Sequence, residues 1–265
     1  MKTIEQLIAQ KSKKERIVML TAYDYPIASF LDEAGIDMIL VGDSLANVVL
    51  GLESTTEVGM KEMLHHTRAV VRAVKNTLVV GDMPFDSYQL NPSAAVDNAR
   101  QFIAEGCHAV KLEWFDDCPQ VASAIVKAGI AVMGHVGLTP QNVQKIGGMK
   151  VQGKDAASAQ VIIKNAGLLQ DAGCFSVVLE CIPLEVAQVI TRQLKVPTIG
   201  IGAGPHCDGQ VLVINDLLGL FRRHQPKFSK TYVDFGPQIL EAVKRYKTEV
   251  ISGKFPDDAH SYHSK

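Results

Sequence analysis

Five side chains with acid–base or ligand chemistry stand where short apolar runs end. Asp43 follows DMILVG, Asp82 follows TLVVG, Glu113 closes HAVKLE, His135 follows IAVMG and Glu180 closes FSVVLE. Four of the five are carboxylates. Like charges crowded at one place cannot all stay ionised without a counter-charge, so the set calls for a cation. Oxygen donors alone favour a hard cation, Mg²⁺ first and Mn²⁺ second. Lys111 sits inside an apolar run, where an ammonium is rare unless paired. It lies two residues from Glu113 and so shares its face of a strand. One can hold a substrate anion while the other helps to hold the metal. A single acid at a strand end is ordinarily a helix cap or turn former. Carboxylates repeated at the ends of successive apolar strands are not explained by capping. His135 alone fits a hydrogen-bonded wall residue as well as a catalytic one. The segment Gly200-Ile201-Gly202-Ala203-Gly204 fits a phosphate cradle or a tight loop equally well.

The elements that must position these groups are legible as an alternation. Apolar, partly β-branched runs at 17–21, 37–42, 77–81, 108–113, 130–134, 175–180, 197–201 and 210–214 read as strands buried on both faces. Amphipathic patterns at 25–34, 60–75, 92–105, 117–128, 155–172 and 184–194 read as the helices between them, with further helices at 3–12 and 236–252. A weak repeat supports the alternation. EAGIDMILV, AEGCHAVKLE, KAGIAVMGH and DAGCFSVVLE each end a helix on Gly and enter a strand. Eight strands with intervening helices in 265 residues predict an α/β fold, a (β/α)₈ TIM barrel. An N-terminal helix and a C-terminal helical extension flank it, and an open doubly wound sheet is the second choice. No linker-like stretch divides the chain, which predicts a single domain over 1–265. In such barrels the active site lies at the C-terminal ends of the strands, where the five residues above stand. The loop 136–154 is long and rich in glycine and lysine, as functional loops often are.

Composition narrows the function. Lys and Arg number 27 against 28 Asp and Glu, a net charge of −1, so net charge would hold neither nucleic acid nor an anionic membrane. Arg222-Arg223-His224 is too short a basic stretch to argue otherwise and reads as a solvated face or subunit contact. There is no P-loop and no dinucleotide fingerprint in a βαβ setting. Five cysteines without CxxC spacing read as buried thiols in a reducing compartment. The N-terminal stretch lacks the apolar core of a signal peptide, and no run approaches the roughly 18 apolar residues of a membrane span. The expected location is the cytoplasm.

The motifs that hold these residues resemble one family over nearly the whole chain. TAYDYPIA (21–28), VGDSL (41–45), GDMPF (81–85), AVKLE (109–113), GHVGLTPQ (134–141), GGMKVQGK (147–154), VLECIP (178–183), IGIGAGPHCDGQVLV (199–213) and PKFSK (226–230) occur in the order found in ketopantoate hydroxymethyltransferases. The resemblance implies a (β/α)₈ barrel that moves a hydroxymethyl group from 5,10-methylenetetrahydrofolate to 3-methyl-2-oxobutanoate, giving 2-dehydropantoate in pantothenate biosynthesis. It implies Mg²⁺ as cofactor and a homo-oligomeric ring, a decamer. Carried over by motif, Asp43 and Asp82 would ligate Mg²⁺ with Glu113 completing the site. Ser44 and Lys111, with Asp43 and Asp82, would hold the keto acid, and Glu180 would accept the proton. The chain departs from the family after GDSL, where Ala46-Asn47 replaces the usual Gly-Met. The rival readings are a folate-independent Mg²⁺-dependent 2-oxo acid lyase or mutase of the isocitrate lyase type, and a catalytically silent barrel.

Overall fold

The computed structural model describes residues 2–142, 148, 150–221, 223 and 226–264. Residues 143–147 and 149 of the long loop, and with them part of the GGMKVQGK stretch, lie outside the described residues. So do Arg222 and His224 of the basic stretch.

Eight strands form one closed, all-parallel barrel in chain order. They are β1 (Ile17–Thr21), β2 (Met38–Val41), β3 (Leu78–Asp82), β4 (Ala109–Glu113), β5 (Ala131–Gly137), β6 (Ser176–Glu180), β7 (Thr198–Ile201) and β8 (Gly209–Leu212). The helices are α1 (Ile4–Lys13), α2 (Tyr25–Glu33), α3 (Leu45–Val48), α4 (Met60–Ala73), α5 (Pro92–Ala104), α6 (Cys118–Lys127), α7 (Ala156–Asp171), α8 (Leu184–Gln193), α9 (Ile214–Leu217) and α10 (Phe235–Ile251). Every strand and long helix expected from the sequence is present, with shifts of a few residues at the ends. The strand β5 runs on to Gly137, and the one-turn helices α3 and α9 are additions. Four residues are too few to establish a helical period.

The αβ joints work as the repeat predicts. Gly35, Gly106, Gly129 and Gly173 all take positive φ where α2, α5, α6 and α7 give way to the next strand. At the other ends, Asp24, Asn91 and Asp155 cap α2, α5 and α7 through their side chains.

Strand alternation sorts side chains between two cores. Ile17, Met19, Met38, Leu40, Leu78, Val80, Ala109, Met133, Val178, Ile199 and Val211 form one buried cluster, which Leu7 of α1 joins and Ile4 and Ile8 support. Stepping two residues onward along the same strand faces leads from Val80 to Asp82, from Ala109 to Lys111 and Glu113, from Met133 to His135, and from Val178 to Glu180. The apolar filling of the barrel therefore gives way to charge at its C-terminal mouth. On the opposite strand faces, Gly81 leaves room for Phe102 of α5 and Gly134 for Leu169 of α7, whose carbons stand 2.3 Å and 2.7 Å from where a Cβ would lie.

The chain divides into two units, Met1–Ile214 and Asn215–Lys265. The first holds the whole barrel. The second is built on α10, whose Ile239, Leu240, Val243 and Tyr246 are exposed and whose C-terminal end packs Tyr246 against Phe255. All five cysteines are free, four of them buried. Burial pushes the Cys107 and Cys174 thiols up to about 12, so they are inert. Among the described residues no helix is long and apolar enough to cross a membrane.

Candidate active site

The residues singled out at the strand ends converge on the mouth of the barrel. Asp43 follows β2, Asp82 ends β3, Lys111 and Glu113 lie on β4, and His135 lies on β5; all five are buried. Glu180 ends β6 with its side chain 15% exposed, so it alone of the carboxylates reaches toward solvent. Strand register sets Asp82 beside Lys111, Glu113 beside His135, and Gly137 beside Glu180.

Asp82 is the hub of the first half. Lys111 Nζ donates to its Oδ1 at 2.6 Å, and the Asp43 backbone N–H donates to its Oδ2 at 3.2 Å. Neither aspartate caps a helix through its side chain, unlike Asp24 or Asp155 in the same chain. Burial raises the Asp43 carboxyl well above the usual carboxylate range, and the charges of Asp82 and Glu113 raise it further. Burial also raises Asp82, although Lys111 pulls it back. For Lys111 burial works against the ammonium, but Asp82, Glu113 and Asp43 outweigh it and keep the side chain charged.

Ser44 opens α3 without forming a side-chain cap. Its hydroxyl shares a hydrogen bond of 2.8 Å with the Tyr23 hydroxyl instead. Tyr23 sits just beyond β1, and its carbonyl is 2.7 Å from His66 Nδ1 on α4. The Ala46-Asn47 departure is accommodated: Ala46 is fully buried, and Asn47 Nδ2 donates to the Leu52 carbonyl at 3.0 Å.

The second half is a carboxylate–imidazole–carboxylate row. His135 Nδ1 lies 3.5 Å from Glu113 Oε1, and Nε2 lies 3.3 Å from Glu180 Oε2. Neither contact has hydrogen-bond geometry, but both are close enough for ion pairs. Burial opposes an imidazolium, yet Glu113 and Glu180 outweigh it and push His135 up to about 9. Glu113 is thus engaged twice, since its Oε2 also accepts the Gln141 backbone N–H at 3.0 Å.

Three contributors are absent from the sequence reading. Gln141 lies in a 3₁₀ turn after β5, Tyr88 follows another after β3, and Tyr23 follows β1. The available signal was a polar residue inside each of GLTPQ, PFDSY and TAYDY, close after an apolar strand. The glycine segment answers to packing. A Cβ on Gly204 would stand 2.6 Å from Leu184, one on Gly200 would stand 2.8 Å from Cys207 Sγ, and Gly202 and Gly204 have positive φ. The tight-loop reading accounts for these glycines.

Among the described residues no three His, Cys, Asp or Glu side chains close into a ready-made metal cage. The donor chemistry nevertheless fits a hard divalent cation. Asp43 and Asp82 offer oxygen only, are adjacent and buried, and the crowding that raises Asp43 despite Lys111 is what a bound cation would relieve. Mg²⁺ is commonly held by one or two carboxylates, with water and substrate oxygens completing its shell.

Closed parallel topology and a buried, charged mouth define the class: this is a (β/α)₈-barrel enzyme. The phosphonopyruvate hydrolase solved with oxalate and Mg²⁺ shares the fold, with a TM-score of 0.63 at 13% identity over 99% of this chain and 92% of that one. The particular family comes from sequence. The model of the ketopantoate hydroxymethyltransferase family matches residues 1–258. The 3-methyl-2-oxobutanoate hydroxymethyltransferase of Syntrophomonas wolfei is 55% identical over 98% of this chain and 95% of its own length. That of Syntrophus aciditrophicus is 54% identical over 98% and 96%. The chain belongs to the ketopantoate hydroxymethyltransferase family.

Proposed function

We propose that this chain transfers a hydroxymethyl group from 5,10-methylenetetrahydrofolate to 3-methyl-2-oxobutanoate, with water supplying the hydroxyl oxygen, to give 2-dehydropantoate and tetrahydrofolate in pantothenate biosynthesis. Family membership over nearly the full length carries the reading. The buried Asp82–Lys111 pair beside Asp43 supports it, because a 2-oxo acid presents both anionic and neutral oxygens to such a site. Asp43 and Asp82 would hold Mg²⁺, with Glu113 behind them completing the site through water. When bound, the cation supplies a Lewis acid that draws electron density toward the keto oxygen.

The protein groups do the rest. Lys111 offers a fixed positive charge to the substrate oxygens without reorganisation, because Asp82 already holds it. The Ser44 hydroxyl, oriented by Tyr23, hydrogen-bonds the keto acid. Glu180, partly open to the mouth, takes the proton from C3, and His135 steadies its carboxylate from behind. The electron pair left on C3 then takes up the one-carbon unit. The same reading carries a homo-oligomeric ring, small-molecule partners only, and a cytoplasmic setting.

Proton NMR of 3-methyl-2-oxobutanoate in D₂O tests this. With Mg²⁺ the C3 proton signal should disappear, and new hydroxymethyl resonances should follow addition of methylenetetrahydrofolate. Glu180→Gln should retain substrate binding and lose the exchange. Exchange without any hydroxymethyl product would favour the folate-independent lyase or mutase. Wild-type exchange in Glu180→Gln would remove Glu180 as the base.

A further inference from the structure

Gln141 is buried, and every polar atom of its side chain is spoken for. Its Nε2 donates to Asp43 Oδ2 at 2.8 Å and to the Met83 carbonyl at 3.1 Å. Its Oε1 accepts from the Tyr88 hydroxyl. Its backbone N–H donates to Glu113 Oε2 at 3.0 Å. One residue following β5 thereby ties together the ends of β2, β3 and β4.

Proton accounting settles which way the amide faces. The Tyr88 hydroxyl accepts the Glu113 backbone N–H at 3.3 Å, so its own proton is directed to Gln141 Oε1. With Oε1 committed as acceptor, both Nε2 protons are left for Asp43 and Met83. A swapped amide would set Oε1 against the Asp43 carboxylate and the Met83 carbonyl, acceptor against acceptor. Tyr88 therefore enforces the donor face of Gln141 toward Asp43. The choice of side chain is also constrained. A carboxylate here would add to the negative charge of Asp43, Asp82 and Glu113, and an ammonium would compete with a cation for them. A neutral donor holds Asp43 Oδ2 without doing either, and Oδ1 would remain available to a cation.

We propose that Gln141, oriented by Tyr88, is a positioning residue that sets the Asp43 and Glu113 carboxylates for cation binding. The inference rests on the reading of Asp43 as a Mg²⁺ ligand. Partners of metal ligands typically contribute about 10–100-fold to metal affinity.

The test is Mg²⁺ titration by calorimetry on the full chain without substrate, alongside thermal melts in EDTA. Gln141→Met keeps the volume and removes the amide; Tyr88→Phe keeps the ring and removes the hydroxyl. Mg²⁺ affinity should fall roughly 10–100-fold in Gln141→Met. It should fall less in Tyr88→Phe, and no further in the double variant than in Gln141→Met, because Tyr88 acts through Gln141. A lowered melting temperature with unchanged Mg²⁺ affinity in both variants would overturn the proposal, as would additive losses in the double variant. Asp43→Asn separates the premise from the inference. If it leaves Mg²⁺ affinity unchanged, the ligand assignment fails. If it abolishes binding while the Gln141 and Tyr88 variants bind normally, the positioning role alone fails.

Discussion

Replacing Gly137 by alanine tests how closely the end of β5 is fitted to Glu180. Gly137 has φ of +98°, a conformation that costs an L-residue roughly 1–2 kcal/mol. Its added Cβ would stand 2.2 Å from the Glu180 carbonyl oxygen and 2.8 Å from Ile182 Cγ2, well inside ordinary contact. The oxygen it meets is backbone and cannot swing aside. It also accepts the Leu138 N–H at 2.9 Å, so β5 and β6 must part just where they carry His135 and Glu180. Such overpacking adds about 1–3 kcal/mol, for about 2–5 kcal/mol in all. Gly129→Ala supplies the control. Gly129 has φ of +83° and nothing within 4 Å of its Cβ position, so it carries the conformational cost alone. It also stands before β5, away from the mouth. Denaturant unfolding should show Gly137→Ala less stable than Gly129→Ala by about 1–3 kcal/mol. In melts that is a further drop of several degrees, at about 2–4 °C per kcal/mol. Displacing a catalytic group by about 1 Å can cost about 100-fold, so kcat should fall strongly in Gly137→Ala and stay near wild type in Gly129→Ala. Equal stability losses, or an unchanged kcat in Gly137→Ala, would refute the reasoning.

Two further expectations concern charge. His135 rises from 6.5 to about 9 in the folded protein, so its contribution is complete below pH 6.5 and is lost as pH rises through about 9. At about 1.4 kcal/mol per pH unit its upper value is about 3 kcal/mol. Melts in EDTA should show wild type losing its advantage over His135→Gln between about pH 6 and about pH 9.5; a pH-independent difference would count against the imidazolium. Lys111→Met leaves Asp82 without its buried partner and Asp43 without a nearby positive charge, and should cost about 3–5 kcal/mol at neutral pH without metal. Because burial already raises Asp43 and Asp82, the loss should shrink as the pH is lowered and they take up protons; a loss independent of pH would point to packing instead.

Much of this protein is written locally. The apolar runs that became strands, the glycines at Gly35, Gly106, Gly129 and Gly173, and the caps at Asp24, Asn91 and Asp155 depend on a few neighbouring residues each. Alternation along a strand then decides that whatever stands two residues beyond an inward-facing Val80 or Met133 also faces inward. The carboxylates, Lys111 and His135 were therefore legible as one cluster once a parallel barrel was inferred. What alternation cannot tell is which atoms of that cluster meet. Gln141 reaches Asp43 across 98 residues of chain, and Tyr88 reaches Gln141 across 53. No local preference selects those partners. They follow from closing the barrel, which brings the loops after β2, β3 and β5 over one mouth. The same closure turns Glu113 toward His135 and Gln141, and leaves Asp43 beside Asp82. Residue types and their spacing determined the chemistry available at the mouth. Its division into an Asp43–Asp82–Lys111 half and a Glu113–His135–Glu180 half was decided only by tertiary contacts between strands distant in sequence.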